Sequence, residues 1–257
     1  MFWWSFSFGK EVLMSKLEEI RKYWNIRADG YSRSVREELE ENGEYWTACF
    51  SRLKTREGKA LDLGCGPGMF SILLSRMGYE VTAMDYSDEM LKKAERNAED
   101  LGAEVSFCQG DVQKLPFADD NFDLIVSRNL TWNLEKPEQA YAEWLRVLKP
   151  GGCILNFDGN HYLHYYDQEY EKQRELTQKV SGSGHKYMEG VDVSVIDEIA
   201  RDLPLSHERR PDWDIQFFLK NHVQEISTEI QWDSYEDADG VSHKTARAFL
   251  IKAVKQE

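Results

Sequence analysis

Short apolar runs at Ala60–Leu63, Glu80–Met84, Val105–Cys108, Phe122–Val126 and Cys153–Phe157 have the length and bounding turns of buried strands. Between most of them the apolar positions recur at helical spacing, over Met69–Leu74 (ending near Gly78), Asp88–Asp100 and Pro137–Leu148. Pro150-Gly151-Gly152 stops the last of these helices. Strand and helix in alternation predict an α/β fold with a mostly parallel sheet covered by helices.

Upstream, Leu17, Ile20, Tyr23, Trp24 and Arg27 pattern a helix over residues 15–30 that breaks at Gly30-Tyr31. A second helical region over 34–55 presents Val35, Leu39, Trp46, Phe50 and Leu53, and Asn42-Gly43 is expected to interrupt it. Beyond residue 158 the rhythm changes. A Tyr- and His-rich stretch leads to a polar helix at Gln168–Lys179, the connector Ser181-Gly182-Ser183-Gly184 and a helix at Val193–Leu203. Asp214–Lys220 predicts a sheet-covering helix, and Val223–Trp232 with Thr245–Val254 an antiparallel terminal pair around the Asp237–Gly240 turn. The organisation expected is an N-terminal extension and helical lid over 1–57 and a core over 58–158. An insertion or lid over 159–210 and a completion of the sheet over 211–257 follow.

Composition narrows the function classes. The 257 residues, 41% hydrophobic, suffice for one packed α/β domain. A formal charge of -14 and the lack of a Lys/Arg run argue against a nucleic-acid partner, because a polyanion meets long-range repulsion. Cys49, Cys65, Cys108 and Cys153 form no CxxC pair, which favours separate reduced thiols and a cytoplasmic setting over a disulfide framework or zinc knuckle. The apolar start Met1–Phe8 is too short to span a bilayer, so no membrane insertion is expected, and Met14 offers a second start. Oligomeric state is left open.

The chemistry concentrates at strand ends. Gly64-Cys65-Gly66-Pro67-Gly68 follows the first strand and opens a helix. It is either a tight turn or a loop whose glycines admit a ligand to the backbone and whose helix start favours a carboxylate. Met69 stands where a dinucleotide fingerprint would place its last glycine, which weakens a nicotinamide reading. Asp85 ends the second strand; its carboxylate can accept from two ribose hydroxyls or cap the helix near Ser87-Asp88. Gly110-Asp111-Val112 follows the third strand, where Asp111 can accept from an exocyclic amine while a neighbouring backbone N–H reads a ring nitrogen, or Asp111 can satisfy a turn.

Together these residues resemble the class I S-adenosylmethionine-dependent methyltransferases of the UbiE/Coq5-like or type 11 group. ALDLGCGPG over residues 60–68 resembles their first motif, and Leu145-Arg146-Val147-Leu148-Lys149-Pro150-Gly151-Gly152 their RxLKPGG segment. Asp123-Leu124-Ile125-Val126-Ser127-Arg128-Asn129 resembles the following strand and methionine-side loop. The resemblance implies a Rossmann-like, mostly parallel seven-stranded sheet with an antiparallel final strand and helices on both faces. It also implies methyl transfer from S-adenosyl-L-methionine, with S-adenosyl-L-homocysteine as product. By the same resemblance Asp62, Gly64, Cys65 and Gly66 lie near the methionine end, Asp85 at the ribose, Asp111 and Val112 at the adenine, and the Ser127 backbone at the amino group, with Tyr86 also in the cofactor site. Tyr23 and Tyr31, within a segment like the N-terminal lid of this group, either cover the cofactor or pack on the sheet.

The methyl acceptor is expected to be a small molecule. His161, Tyr162, His164 and Tyr165 follow the fifth strand as the substrate-side cluster, with His161 as candidate base, and Arg209, Arg210 and Trp213 as candidates for the distal wall. His161 and His164 lack a placed third ligand, and His185, His207, His222 and His243 do not supply one, so no metal is expected. A macromolecular methyltransferase, or a noncatalytic protein that binds the same donor, is the competing reading.

Overall fold

The computed structural model describes residues 15–51, 57–181, 187–188, 190–221, 223–236 and 239–257. The apolar start, most of the Gly/Ser connector, His185, His222 and part of the 237–240 turn lie outside the described residues. The chain runs through α1 (Lys16–Ser51), β1 (Gly58–Leu63), α2 (Met69–Arg76), β2 (Tyr79–Asp85), α3 (Asp88–Asp100), β3 (Val105–Gln109) and β4 (Phe122–Arg128). It continues through α4 (Pro137–Val147), β5 (Leu148–Gly159), α5 (Gln168–Ser181), α6 (Val193–Arg201), α7 (Asp212–Lys220), β6 (Val223–Glu236) and β7 (Ser242–Lys255).

All seven strands form one sheet in the order β3-β2-β1-β4-β5-β7-β6. β1 pairs parallel with β2 and β4, and so do β2 with β3 and β4 with β5; β7 runs antiparallel to both β5 and β6. Chain direction along the sheet reverses between β1 and β4, and a crevice opens at the C-terminal ends of strands at such a switch point.

Strand alternation divides the core into two layers. Leu61, Leu63, Ile125 and Ile154 face Tyr141 and Trp144 of α4 and Phe218 of α7. Ala60, Val81, Val126 and Leu155 face Phe70 and Leu74 of α2 and Val35 and Phe50 of α1.

Two expectations are corrected. The region before β1 is one 36-residue helix rather than two, about 54 Å long at 1.5 Å per residue. Gly30 marks a close approach rather than a break: a Cβ there would stand 2.0 Å from the Tyr187 carbonyl oxygen, which accepts from Arg27 at 3.0 Å. A glycine inside a helix costs about 1 kcal/mol relative to alanine. At Gly43 that cost is offset by Val35 and Phe50, buried on either side of it against α2 and the sheet. The second correction concerns β5, which begins at Leu148 and not Cys153. Lys149-Pro150-Gly151-Gly152 is therefore strand with an irregular register opposite Phe122–Leu124.

Candidate functional site

The turn after β1 has positive φ at Gly64 (64°), Gly66 (52°) and Gly68 (88°), a region that penalises a Cβ. At Gly64 space forbids one as well, because it would lie 2.6 Å from Leu130 Cδ1. The loop thus brings bare backbone against the ends of β2 and β4. Asp85, the last residue of β2, accepts at Oδ2 from the Gly66 N–H (2.9 Å) and at Oδ1 from the Ser87 N–H (2.8 Å). Helix α3 is capped by Ser87 Oγ, which accepts from the Met90 N–H at 3.1 Å, so Asp85 is not the cap. The Tyr86 backbone also donates to this carboxylate, which with four lone-pair sites keeps capacity for a ligand, and burial raises its pKa.

After β3, Asp111 Oδ1 accepts from the backbone N–H and the side-chain amide of Gln113, at 2.9 and 3.0 Å. Gln113 in turn accepts from the Lys136 N–H at 2.6 Å. No protein donor reaches Asp111 Oδ2 among the described residues. Asp85, Tyr86, Asp111 and Val112 line one cleft of about 750 Å³, roofed by Leu17, Ile20, Trp24 and Tyr31 of α1. Its polar inventory is incomplete: Asn133, another lining residue, carries a buried Oδ1 with no hydrogen-bond partner among the described residues. Such an acceptor favours a ligand N–H, since leaving it unpaired costs about 1–3 kcal/mol.

A smaller cavity of about 320 Å³ shares Tyr31, Gly64, Gly66 and Arg128 with the cleft and adds Asp62 and Cys65. Asp62 is buried, accepts from Ser71 Oγ, and has its pKa pushed up to about 7 by that burial. Burial also raises the Cys65 thiol well above its ordinary value, which suits a cavity wall rather than a thiolate nucleophile.

The N-terminal segment is stitched to the β2 end by polar contacts. Tyr86 Oη donates to Glu18 Oε1 at 2.8 Å, Arg21 pairs with Glu18 and Asp88, and Asn25 bridges Ser87 and Asp88. Of the two expected lid tyrosines, Tyr31 lines the cleft, and a Cβ at Gly66 would stand 3.4 Å from its ring. Tyr23 instead packs with Trp132, Ile196 and Leu203, away from the cleft. Ser127 is fully buried and donates to Asn156 Oδ1 at 2.7 Å, so only its backbone is left for a ligand.

The residues after β5 are assembled differently. Arg210, fully buried, pairs with Asp158 (3.0 Å) and Asp214 (2.5 Å) and donates to Thr131 Oγ1 and Tyr141 Oη. This corrects its expected place on a pocket wall: both its charge and its donors are consumed. Arg209 is exposed and pairs with Asp167 and Glu169, while Trp213 packs on Tyr141 and Phe217. His161 Nε2 lies 3.2 Å from Asp158 Oδ1, with its ring edge-on to Trp132. Tyr162 stacks with Tyr165, and His164 lies against Tyr165, its pKa lowered to about 4 by burial and nearby Arg174. None of the seven expected substrate-side residues lines the cleft.

Sequence reasoning missed Arg128, Asn129, Asn133 and Trp24 as wall residues. Arg128 and Asn129 do fall within the quoted 123–129 segment, but their types have no periodicity to single them out.

Residues 61–156 match the methyltransferase-domain family, a span that contains the glycine loop, Asp85, Asp111 and Arg128. Over this span the chain carries a methyltransferase domain. This domain is 37% identical over 103 residues to a demethylmenaquinone methyltransferase of Renibacterium salmoninarum, covering 40% of this chain and 42% of that protein. It is 37% identical over 134 residues to a malonyl-[acyl-carrier protein] O-methyltransferase of Erwinia pyrifoliae, covering 50% and 49%. The chain thus spans about half or less of the length of these curated relatives. The fold extends further than the sequence match. The YcgJ protein of Bacillus subtilis superposes with a TM-score of 0.54 at 20% identity, over 83% of this chain and 99% of that one. The PH0226 protein of Pyrococcus horikoshii gives 0.51 at 21%, over 86% and 91%.

Proposed function

We propose that this methyltransferase domain transfers the methyl group of S-adenosylmethionine to a small-molecule acceptor and releases S-adenosylhomocysteine. The observation that carries the reading is the convergence of Gly64, Gly66, Asp85 and Asp111 on one cleft. Asp85 offers two oriented acceptors, as a ribose diol requires. Asp111 offers an open Oδ2 beside apolar Val112, as an adenine edge requires, and Asn133 offers a buried acceptor for a further N–H. The sulfonium of the bound donor supplies the activated methyl group. What the protein adds is orientation and exclusion of water, the role of the α1 roof of Leu17, Ile20, Trp24 and Tyr31.

A groove of about 900 Å³ between Tyr45 and Trp46 of α1 and Phe157 and Leu250 of the sheet meets the donor cleft at Arg128 and Asn129. We read it as the acceptor's approach. Asn129 stands there at φ 52°, a backbone region uncommon outside glycine and often met at functional sites. Asp158 also lines this groove and holds His161, which supports His161 as the proton acceptor for an acceptor that must be deprotonated. The relatives named for demethylmenaquinone and malonyl-acyl carrier protein favour a small acceptor or one carried on a protein, and the charge of -14 disfavours a nucleic acid. The described cysteines are all free, in keeping with a cytoplasmic setting, and no helix among the described residues is long and apolar enough to cross a membrane.

Calorimetric titration of ligand-free protein with S-adenosylhomocysteine tests the donor site, and absence of binding by folded protein overturns the reading. A small-molecule library assayed with isotopically labelled donor then identifies the acceptor. On that acceptor His161→Ala is expected to slow transfer by about 10²-fold or more, as loss of a general base does, with donor affinity unchanged. An unchanged rate removes the base role.

A further inference from the structure

The segment after β5 holds two arginines whose charge the protein does not neutralise. Arg21, Arg36, Arg146, Arg209 and Arg210 each pair with a carboxylate. Arg174 of α5 and Arg201 of α6 pair with none among the described residues, and Asp202, next to Arg201, is taken by Lys16 at 2.5 Å. Both guanidiniums sit against one ring instead: their central carbons lie 5.8 and 4.4 Å from the centroid of Tyr165. The ring face attracts both cations without cancelling either charge. The backbone of Arg201 is held as well, because its carbonyl accepts from Tyr166 Oη at 2.6 Å and lies 3.0 Å from His207 Nε2. A guanidinium carries five N–H donors and no acceptor, so this pair is equipped to receive an anion.

His164 adds an acceptor beside them. Its ring centroid lies 4.1 Å from that of Tyr165, and its Nε2 is buried with no hydrogen-bond partner among the described residues. Burial, reinforced by Arg174 and Arg201, lowers its pKa to about 4, and the His161 backbone engages the ring's other nitrogen, so Nε2 is a neutral acceptor. A ligand that satisfies all three side chains must bring negative charge to the guanidiniums and a proton to His164. A carboxylate or a sulfate meets only the first demand near neutral pH. A phosphate monoester, whose second pKa is about 6, meets both: its charged oxygens accept from the arginines and its P–OH donates to Nε2. We propose that Arg174, Arg201 and His164 form a phosphate-binding site, separate from the donor cleft, none of whose lining residues they are. Tyr165 stacks with Tyr162, whose ring lies 5.0 Å from that of Trp132, the chain neighbour of the cleft-lining Asn133. Two ring contacts therefore join the site to the cleft wall, and the phosphoryl group belongs either to an organic molecule such as the methyl acceptor or to free phosphate.

Calorimetric titration of inorganic phosphate into wild-type protein at about pH 6, where a P–OH persists, tests the site, with sulfate at the same ionic strength as the unprotonated control. Saturable binding of phosphate is expected, with sulfate at least about 10-fold weaker. Arg174→Gln and Arg201→Gln are each expected to weaken phosphate roughly 10- to 100-fold. Arg36→Gln, which removes an exposed arginine paired with Asp100, should change it by less than about twofold. Unfolding midpoints check that each variant is folded, and the comparison of phosphate with sulfate needs no variant. Absence of saturable phosphate binding by wild-type protein, equal affinity for sulfate, or equal weakening in Arg36→Gln overturns the inference. Phenyl phosphate separates the two sources: affinity more than about 10-fold above that of inorganic phosphate identifies a phosphate ester, and equal affinity identifies free phosphate. None of these titrations contains the methyl donor, so their outcome is independent of the donor site.

Discussion

The glycine-loop cleft and the cluster behind β5 are both rich in charged residues, yet they use charge in opposite ways. In the cleft and the small cavity that shares its glycine wall, among the described residues, Asp62 lacks a cation, Asp111 Oδ2 and Asn133 Oδ1 lack a donor, and Arg128 spends donors on the Met69 thioether. Behind β5, Arg210 is enclosed by Asp158, Asp214, Thr131 and Tyr141 with its donors taken up. Burial alone would raise the Asp158 pKa, but Arg210 and His161 hold it well below the ordinary carboxylate range. Unspent hydrogen-bonding capacity beside a cavity marks a binding site, whereas the same residue types mutually satisfied mark a structural tie. Here the tie joins β5, α4, α7 and the segment after β4.

The contrast is broken most strongly at Arg210. Arg210→Met leaves two carboxylates buried without their cation, which is expected to cost about 3–5 kcal/mol of stability, read by denaturant unfolding. Donor affinity of the folded protein should stay within about twofold, as for energetically independent sites. A large loss of affinity without loss of stability would place Arg210 in the binding machinery after all.

Asp85→Ala should show the reverse. Two hydrogen bonds to an ionised acceptor, each worth about 1.5–3 kcal/mol, are lost to the ribose, so S-adenosylhomocysteine should bind at least about 100-fold more weakly. The unfolding midpoint should move less than in Arg210→Met. Tenfold or less in affinity would shift the ribose role away from Asp85.

Asp62 sharpens the comparison through pH. Its folded pKa of about 7 lies above its ordinary value of 3.8, so the native state binds the extra proton between those values. Its contribution to stability is therefore full below pH 3.8 and declines as pH rises toward 7. A ligand ammonium prefers the ionised form, so donor affinity should rise with pH up to about 7 and level off above it. Asp62→Asn should flatten both profiles, as measured by unfolding and calorimetry at several pH values. A profile unaltered by the substitution would assign the proton to another group.

Strand and helix periodicity made β1 to β4, α3 and the terminal β6–β7 pair legible to within a few residues, because each buries a face whose spacing is written locally. The glycine loop, Asp85 and Asp111 were legible for a related reason. A parallel sheet places consecutive strand ends side by side, so residues at those ends share a cleft whatever lies between them. The substrate-side expectations fared differently. His161, Tyr162, His164 and Tyr165 were grouped because they follow the fifth strand, but Trp132, which packs on His161 and Tyr162, and Arg201, which lies over Tyr165, are brought from elsewhere in the chain.

By itself the sequence determined the strand order's raw material, the bare-backbone turn at Gly64–Gly68 and the carboxylates that face it, since these depend on short-range pattern and on residue type. Only the tertiary structure decided that α1 runs unbroken past Gly30 and Gly43, because packing against α2 and the sheet outweighs the local cost of two glycines. It also decided the fate of two arginines, Arg128 at the end of β4 and Arg210 just before α7. Arg210 was closed off by two buried aspartates, while Arg128 was left beside Asp62 with donors to spare. Which charges neutralise one another depends on distances in space that no local pattern encodes.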